Sequence, residues 1–376
     1  MTDVGIIFAN LHDRTIPELT RNRAMASIPF GGRYRLIDFP LANMVNAKIT
    51  DIRILTHYNY ASLMDHIGSG KDWDLARRTG GIKLLPPDNV YSSNGSTAPT
   101  SRLAALKNNV VPLSRITSKH VIFSDCDAIC NVDLAALIAD HEASGAEITM
   151  LVKKQEFNGP ANDKFSLVEF DGNGRITGID VNPVYVVGTH YKNLNVWIVN
   201  TEYLKRVVNE SIARGYSSLN RDIIARFCDK DHFRAVEYTG YFAQITSFSD
   251  YYAHSMNLIE NREAFDTLFS DPRRPIYTKV HNTTPTRYAA DAIVRNSLVG
   301  DGCQIEGVVE NSILFRGVRV GKDSVVRNCI LFQNAVVGRE CFLNCIVSDK
   351  NAVIGDEQLL GGHPSQPYFI EKNKII

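Results

Sequence analysis

The feature that most restricts this chain is a repeat near its carboxyl end. Asn296-Ser297-Leu298-Val299 returns as Asn311-Ser312-Ile313-Leu314, Asn328-Cys329-Ile330-Leu331 and Asn344-Cys345-Ile346-Val347, with starts 15, 17 and 16 residues apart. A second phase, Val320-Gly321, Val337-Gly338 and Ile354-Gly355, advances by 17 and 17. Such periods, with one aliphatic residue per hexad pointing inward, fit coils of three short strands stacked as a parallel β-helix. A single coil cannot bury its aliphatic residues, so several must form together. Cys329 and Cys345 share a repeat position and are expected to stack in adjacent coils as packing groups.

Upstream the texture is different. Apolar runs at 4–8, 51–56, 120–124 and 148–152 alternate with helical patterns at 41–47 and 132–142. That alternation predicts an α/β domain with a mostly parallel, Rossmann-like sheet covered by helices on both faces. Strands at 165–170 and 195–199 and helices at 202–212 and 218–227 extend it. Ligands of such sheets sit beyond the carboxyl ends of the strands, so the loops after Phe8 and Phe123 are where chemistry is expected. Residues 80–102, rich in Pro, Ser, Gly, Asn and Thr, read as a long surface loop, either functional or merely solvated. Asp271-Pro272-Arg273-Arg274-Pro275 signals a linker. The expected division is a first domain over 1–265, a linker over 266–290 and the β-helix over 291–376.

Of the 376 residues, 41 are Lys or Arg and 41 are Asp or Glu. A balanced charge gives no reason to expect nucleic acid or an anionic membrane as partner. No apolar run approaches the roughly 20 residues of a membrane span, and the start Met1-Thr2-Asp3-Val4 has no signal-peptide character; a cytoplasmic location is expected. The seven cysteines include two pairs spaced by four, Cys126/Cys130 and Cys341/Cys345. No His or acidic residue completes either pair as a metal site, so buried free thiols are expected.

The segment Pro29-Phe30-Gly31-Gly32-Arg33-Tyr34-Arg35-Leu36-Ile37-Asp38-Phe39-Pro40, followed by Leu41-Ala42-Asn43, resembles the opening of bacterial ADP-glucose pyrophosphorylases (glucose-1-phosphate adenylyltransferases). Their pattern is L-A-G-G-x-G-x-R-L-x-x-L-T-x-x-R-A-K-P, then P-F-G-G-[KR]-[YF]-R-[IL]-I-D-F. The resemblance implies a nucleotidyltransferase domain followed by a left-handed β-helix, which covers nearly the whole chain and agrees with the repeat.

The catalytic half of that motif is altered. Aligned without gaps from Arg23 and Ala24, the family's adjacent glycines fall on Asn10 and Leu11, the third on Asp13 and the Arg on Thr15. Glycines let backbone N–H groups close around phosphates. Leu11 and Asp13 put side chains there, and Asp13 is expected to add negative charge beside the phosphate; Arg14, one position off, could partly compensate. The family Lys that neutralises pyrophosphate falls on Met25, and a thioether cannot stabilise developing phosphate charge. After the third strand, Asp127 matches the family's magnesium-binding Asp. Asp125 and Asp127 would hold Mg²⁺ if activity remains, or else serve an Asx turn or helix N-cap before Val132. The second metal Asp is replaced by Gln244. The sugar-phosphate motif E-K-P is Val181-Asn182-Pro183, and the family's S-M-G is Asn193-Leu194-Asn195. Altered together, these positions resemble the GlgD-type branch, whose members accompany a catalytic homologue.

Arg21, Arg23, Arg33 and Arg35 form a basic segment. The resemblance places Arg23 and Arg35, with Arg33 beside them, at an effector site for sugar phosphates or nucleotides; a solvated face salt-bridged to Asp38 or Glu18 is the plainer alternative. Three readings of function follow. The first is a regulatory, non-catalytic subunit in a heterotetramer with a catalytic homologue. The second is a weak adenylyltransferase working through Asp127 and Arg14, and the third a binding scaffold.

Overall fold

The structure is a computed structural model that describes residues 3–86, 101–161 and 164–376. Its first domain is built on strands β1 (Val4–Phe8), β2 (Asp51–Leu55), β3 (Gly81–Leu85), β4 (His120–Asp125), β5 (Ile148–Pro160), β6 (Ser166–Phe170), β7 (Ile176–Val181), β8 (Tyr185–Asn200) and β9 (Phe233–Glu237). Through the middle the order is β3-β2-β1-β4-β8-β5-β9, with β6 and β7 added along the outer half of β8. In that middle order the strands run parallel except β8, which is antiparallel to both β4 and β5, and β6 and β7 pair antiparallel to each other. The apolar run of β1 is buried along its whole length, as a strand covered on both faces must be. Helices α1 (Asp38–Asn46) and α2 (Leu134–Ser144) pack toward the face facing the β-helix, and α3 (Thr201–Arg214) covers the other.

The 80–102 stretch is not one loop. Gly81–Leu85 pairs in parallel with Asp51–Leu55, and a helix begins at Arg102, capped by the Ser101 side chain; residues 87–100 lie outside the described residues. Alternating Ile82 and Leu84 are only partly buried at this sheet edge, which is why composition alone hid the strand.

The repeat forms a left-handed parallel β-helix of three stacked sheets, with rungs 287-304-319-336-353, 293-308-325-342-359 and 298-313-330-347-369. Its corners use left-handed backbone at Asn296, Asn311 and Asn328, a conformation Asn tolerates better than other side-chain-bearing residues. Amide side chains bond from coil to coil, Asn296 to Asn311 at 2.8 Å and Asn328 to Asn344 at 2.9 Å. The fourth repeat slips by one residue: Ile330 pairs with Val347 and Leu331 with Ser348, and Cys345 rather than Asn344 takes the positive φ. Ile346 therefore occupies the rung above Cys329. Cys329 faces the coil interior and Cys345 the first domain, so the expected cysteine stack does not form in that register. All seven cysteines are free and buried.

The two domains share one core. Residues on the outer face of the third sheet, Ile313, Ile330 and Val347, join the cluster that holds Phe30, Phe39, Tyr251 and Met25. Helix α4 (Phe248–Glu260) supplies the fasteners. The Tyr251 hydroxyl donates to the Pro29 carbonyl at 2.7 Å, and the Tyr252 hydroxyl donates to that of Asn328 at 2.7 Å. The Gly31-Gly32 turn has φ of 58° and 81°, which suits glycine, and it lays Gly32 against Leu298 and Ile313. The linker is pinned rather than loose: the Thr278 hydroxyl donates to Asp38 at 2.6 Å and Asn131 holds the Arg274 carbonyl. Helix Arg262–Phe269 runs past residue 265, and Arg287–Tyr288 already belongs to the coils.

Candidate functional site

The carboxyl ends of β1 and β4 meet where an open α/β sheet places its ligand. The loop after β1 carries Asn10, Leu11, His12 and Asp13; the end of β4 carries Asp125, and the following turn Asp127. A short strand, Ala128–Cys130, pairs with Phe242–Gln244 and brings Gln244 opposite Ala128, next to Asp127.

Asn10 and Asp13 fill the loop that glycines would leave open. The Asn10 side-chain oxygen Oδ1 accepts from the Thr56 hydroxyl at 2.7 Å and the His57 N–H at 3.0 Å, while its side-chain amide donates to Asp13 at 2.5 Å. Asp13 also accepts from the Met25 N–H at 2.8 Å. The carboxylate therefore points into the protein and staples the loop to the Met25 turn. This corrects the expectation that it lies beside a phosphate. Burial pushes its carboxyl up to about 6, against the hydrogen bonds from Asn10 and Met25. Met25 is fully buried in the core. Leu11 packs against the cluster under α3, and Arg14 and Thr15 face solvent. Beside Asn10 and Leu11 a small pocket of about 20 Å³ remains, lined also by Leu55, Thr56 and Asn109.

Asp125 and Asp127 are both buried and serve neither turn nor cap. The cap of α2 is Asp133, which accepts from the Ala136 N–H. Asp125 is gripped by Arg102, whose Nε donates at 2.8 Å and whose Nη2 donates to the second oxygen. His12 Nε2 lies 3.4 Å from Asp125 and 3.7 Å from Asp127. The Gln244 amide donates to Asp127 Oδ2 at 3.0 Å; the other Asp127 oxygen has no hydrogen-bond partner among the described residues. Burial would raise the Asp125 carboxyl, but Arg102 and His12 outweigh it and hold it below its usual range. Asp127 is raised, by burial and by its neighbour Asp125. Burial lowers His12, yet Asp127 and Asp125 prevail and its pKa is raised.

Among the described residues, the one group of three or more His, Cys, Asp or Glu side chains close enough to share an ion is His12, Asp125 and Asp127. It does not fit a two-carboxylate Mg²⁺ site. Both Asp125 oxygens are committed to a guanidinium, the second carboxylate is replaced by an amide that donates rather than ligates, and one Asp127 oxygen is left over. Arg102 has taken the place of the cation. Residue pattern had pointed to Asp125, Asp127 and Gln244, but not to His12 or Arg102. His12 sits at a variable position of the loop motif, and Arg102 reaches Asp125 from a helix whose neighbourhood carries no motif.

The basic segment is divided. Arg23 is buried and donates two bonds from Nη2 to Asp349 at 2.6 and 2.7 Å, with its guanidinium 5.9 Å over Phe332. Neither Asp38 nor Glu18 is its partner. Arg33 is exposed, and Arg35 donates to the Ser62 carbonyl at 2.6 Å. Arg35 and Arg23, after burial itself, push the Lys350 amine down to about 7. Burial and the neighbouring Arg23 and Arg316 bring Arg35 down to about 10, despite Asp38. A seam of cations thus lies between the domains.

This is a nucleotidyltransferase fold in which Asn10 and Asp13 fill the loop after β1 and Arg102 pairs with Asp125. The chain matches the nucleotidyl transferase family over residues 14–261 and the GlmU-like C-terminal hexapeptide family over 281–368. It is 33% identical over 322 residues to the glycogen biosynthesis protein GlgD of Bacillus subtilis, covering 85% of this chain and 81% of that protein. It is 30% identical over 324 residues to the glucose-1-phosphate adenylyltransferase of Halalkalibacterium halodurans, covering 85% and 83%. The GlgD of Geobacillus stearothermophilus is 32% identical over 325 residues, covering 85% and 81%. The chain belongs to the family that contains glucose-1-phosphate adenylyltransferases and GlgD proteins. Among its described residues, no helix is long and apolar enough to cross a membrane.

Proposed function

We propose that this chain is a regulatory, non-catalytic subunit that assembles with a catalytic glucose-1-phosphate adenylyltransferase, as a cytoplasmic heterotetramer of glycogen biosynthesis. The observation that carries this reading is the Arg102–Asp125 pair beside Asp127 and Gln244. A triphosphate needs cations facing it and a metal held by free carboxylates; here Arg102, at the strand ends, is spent on an internal aspartate. The likeness to GlgD proteins named for glycogen biosynthesis supports the pathway.

The cationic seam of Arg35, Arg316 and Lys350 supports an effector role, because a sugar phosphate or nucleotide anion there would offset the repulsion from Arg35 and Arg23 that, after burial, lowers Lys350. Arg23 organises this seam from behind its bond to Asp349. Arg21 and Arg33 are the segment's exposed residues, and Arg35 is half-buried.

A second reading, weak adenylyl transfer, is favoured by one observation: Asp127 keeps an unpartnered oxygen, and Arg14 is exposed on the loop before it. The deciding experiment measures ADP-glucose formation by a catalytic homologue, by this chain and by their mixture. The regulatory reading expects no turnover by this chain alone and an altered maximal rate or effector affinity in the mixture. Turnover by the chain alone at rates typical of its relatives would overturn it; no effect on the homologue leaves the scaffold reading.

A further inference from the structure

Arginine is rare in the middle of a buried strand unless its charge is met. β2 reads Asp51-Ile52-Arg53-Ile54-Leu55 and lies between β1 and β3, and its Arg53 is only 7% exposed. A guanidinium carries five N–H donors, and burying it is costly while those donors and the charge go unanswered. Among the described residues one hydrogen bond answers them, from Nη1 to the Pro112 carbonyl. Nε is buried with no hydrogen-bond partner among those residues. Nη2 stands 3.7 Å from one oxygen of Asp51, beyond hydrogen-bond reach. The other Asp51 oxygen is held by Lys83 at 3.0 Å. The strand thus carries a cation that the described chain only partly satisfies.

Beside Arg53 a cavity of about 380 Å³ opens at the amino ends of β2 and β3. Arg115, just after helix Val110–Ser114, lines it too. Arg115 is exposed, and its side chain has no ion pair or hydrogen bond among the described residues. Thr50, Thr79 and Thr117 add three hydroxyls to the same wall. Asp51 is the one carboxylate in the lining, and Lys83 offsets it, so the wall is net positive. Two guanidinium forks flanked by hydroxyl donors form the set that grips an oxyanion through charge-assisted hydrogen bonds. The volume exceeds that of a bare phosphate ion and leaves room for a small group esterified to it.

The cavity is separate from the places described above. His12 and Asp127 lie past the carboxyl ends of β1 and β4, the opposite edge of the sheet, and no residue of the β-helix or of the cationic seam lines it.

We propose that Arg53 and Arg115 form a binding site for phosphate, as the free ion or as the monoester of a small metabolite, at the amino edge of the sheet. The site goes beyond the regulatory reading and does not depend on it, since it is tested on this chain alone.

Titration calorimetry of the full-length chain at fixed ionic strength, with inorganic phosphate and with glucose 6-phosphate, tells the free ion from the monoester. The wild type should take up at least one of the two. Arg115→Ala, at an exposed position, should weaken one equivalent of that uptake at least tenfold while melting without ligand stays unchanged. Arg262→Ala removes the same charge from an exposed position on helix Arg262–Phe269 and should leave uptake as it was. In crystals soaked with selenate, anomalous density should lie between the Arg53 and Arg115 guanidinium groups. Uptake of neither ligand, uptake indifferent to Arg115→Ala, an equal loss in Arg262→Ala, or selenate bound only between the domains would each overturn the proposal.

Discussion

Replacing Arg23 by alanine separates a structural role for this residue from an effector role. Arg23 and Asp349 stand 326 positions apart and are joined between the domains by two hydrogen bonds, with side chains only 3% and 4% exposed. Truncation leaves the Asp349 carboxylate buried without its hydrogen-bonded cation, and breaking a buried pair from one side costs about 3–5 kcal/mol. At about 2 °C per kcal/mol for a chain of this size, the melting temperature should fall by about 6–10 °C. Replacing both partners, Arg23→Met with Asp349→Leu, should recover most of that loss. A well-packed apolar pair avoids the desolvation of two charges, and Arg23 Nη1 has no hydrogen-bond partner among the described residues even now. Urea denaturation of the four chains, followed by circular dichroism and by the fluorescence of Trp73 and Trp197, measures the cycle. Because one core crosses both domains, both probes should report the same transition. A loss below about 1 kcal/mol in Arg23→Ala, with unchanged denaturant slope, would refute the reasoning. So would a double variant no more stable than the single one.

Three further outcomes follow from the same geometry. Arg102→Ala strips the cation from an Asp125 that is fully buried, with His12 left as partial compensation, so stability should fall by about 3 kcal/mol in urea denaturation; a change under about 1 kcal/mol would mean the pair is not formed. Gln244→Asp places a second carboxylate against Asp127 without a new cation, so it should lower the melting temperature in chelator, and Mn²⁺ or Mg²⁺ should restore it; equal melting with and without metal would contradict this. Lys350, with its amine pushed down to about 7, binds a proton more weakly when folded than when unfolded. Its contribution to stability therefore rises with pH between about 7 and its ordinary value of 10.5. Below 7 it is charged in both states, so sulfate should stabilise the protein more at pH 6.5 than at pH 8.5, and Lys350→Met should remove that difference in a thermal melt.

Residue order alone carries the β-helix, because each coil repeats one local pattern of Asn, aliphatic residue and Gly, and stacking follows from the period. It also carries the α/β domain, from buried runs alternating with helical patterns, and, through the family resemblance, it puts Asn10, Leu11, Met25 and Gln244 where that pattern has glycines, Lys and Asp, since the spacing is fixed. Even there the period misled by one residue: asparagine at 344 keeps its side-chain bond while the turn moves to Cys345, a choice made by how Ile346 and Val347 pack. Tertiary structure alone decided that Asp13 faces inward, that Arg102 rather than a metal sits on Asp125, and that Arg23 spans two domains to Asp349. Each depends on the direction of a side chain and on a partner brought near by packing. A charged group buried by that packing must find its counter-charge wherever the fold puts one, which no local pattern records.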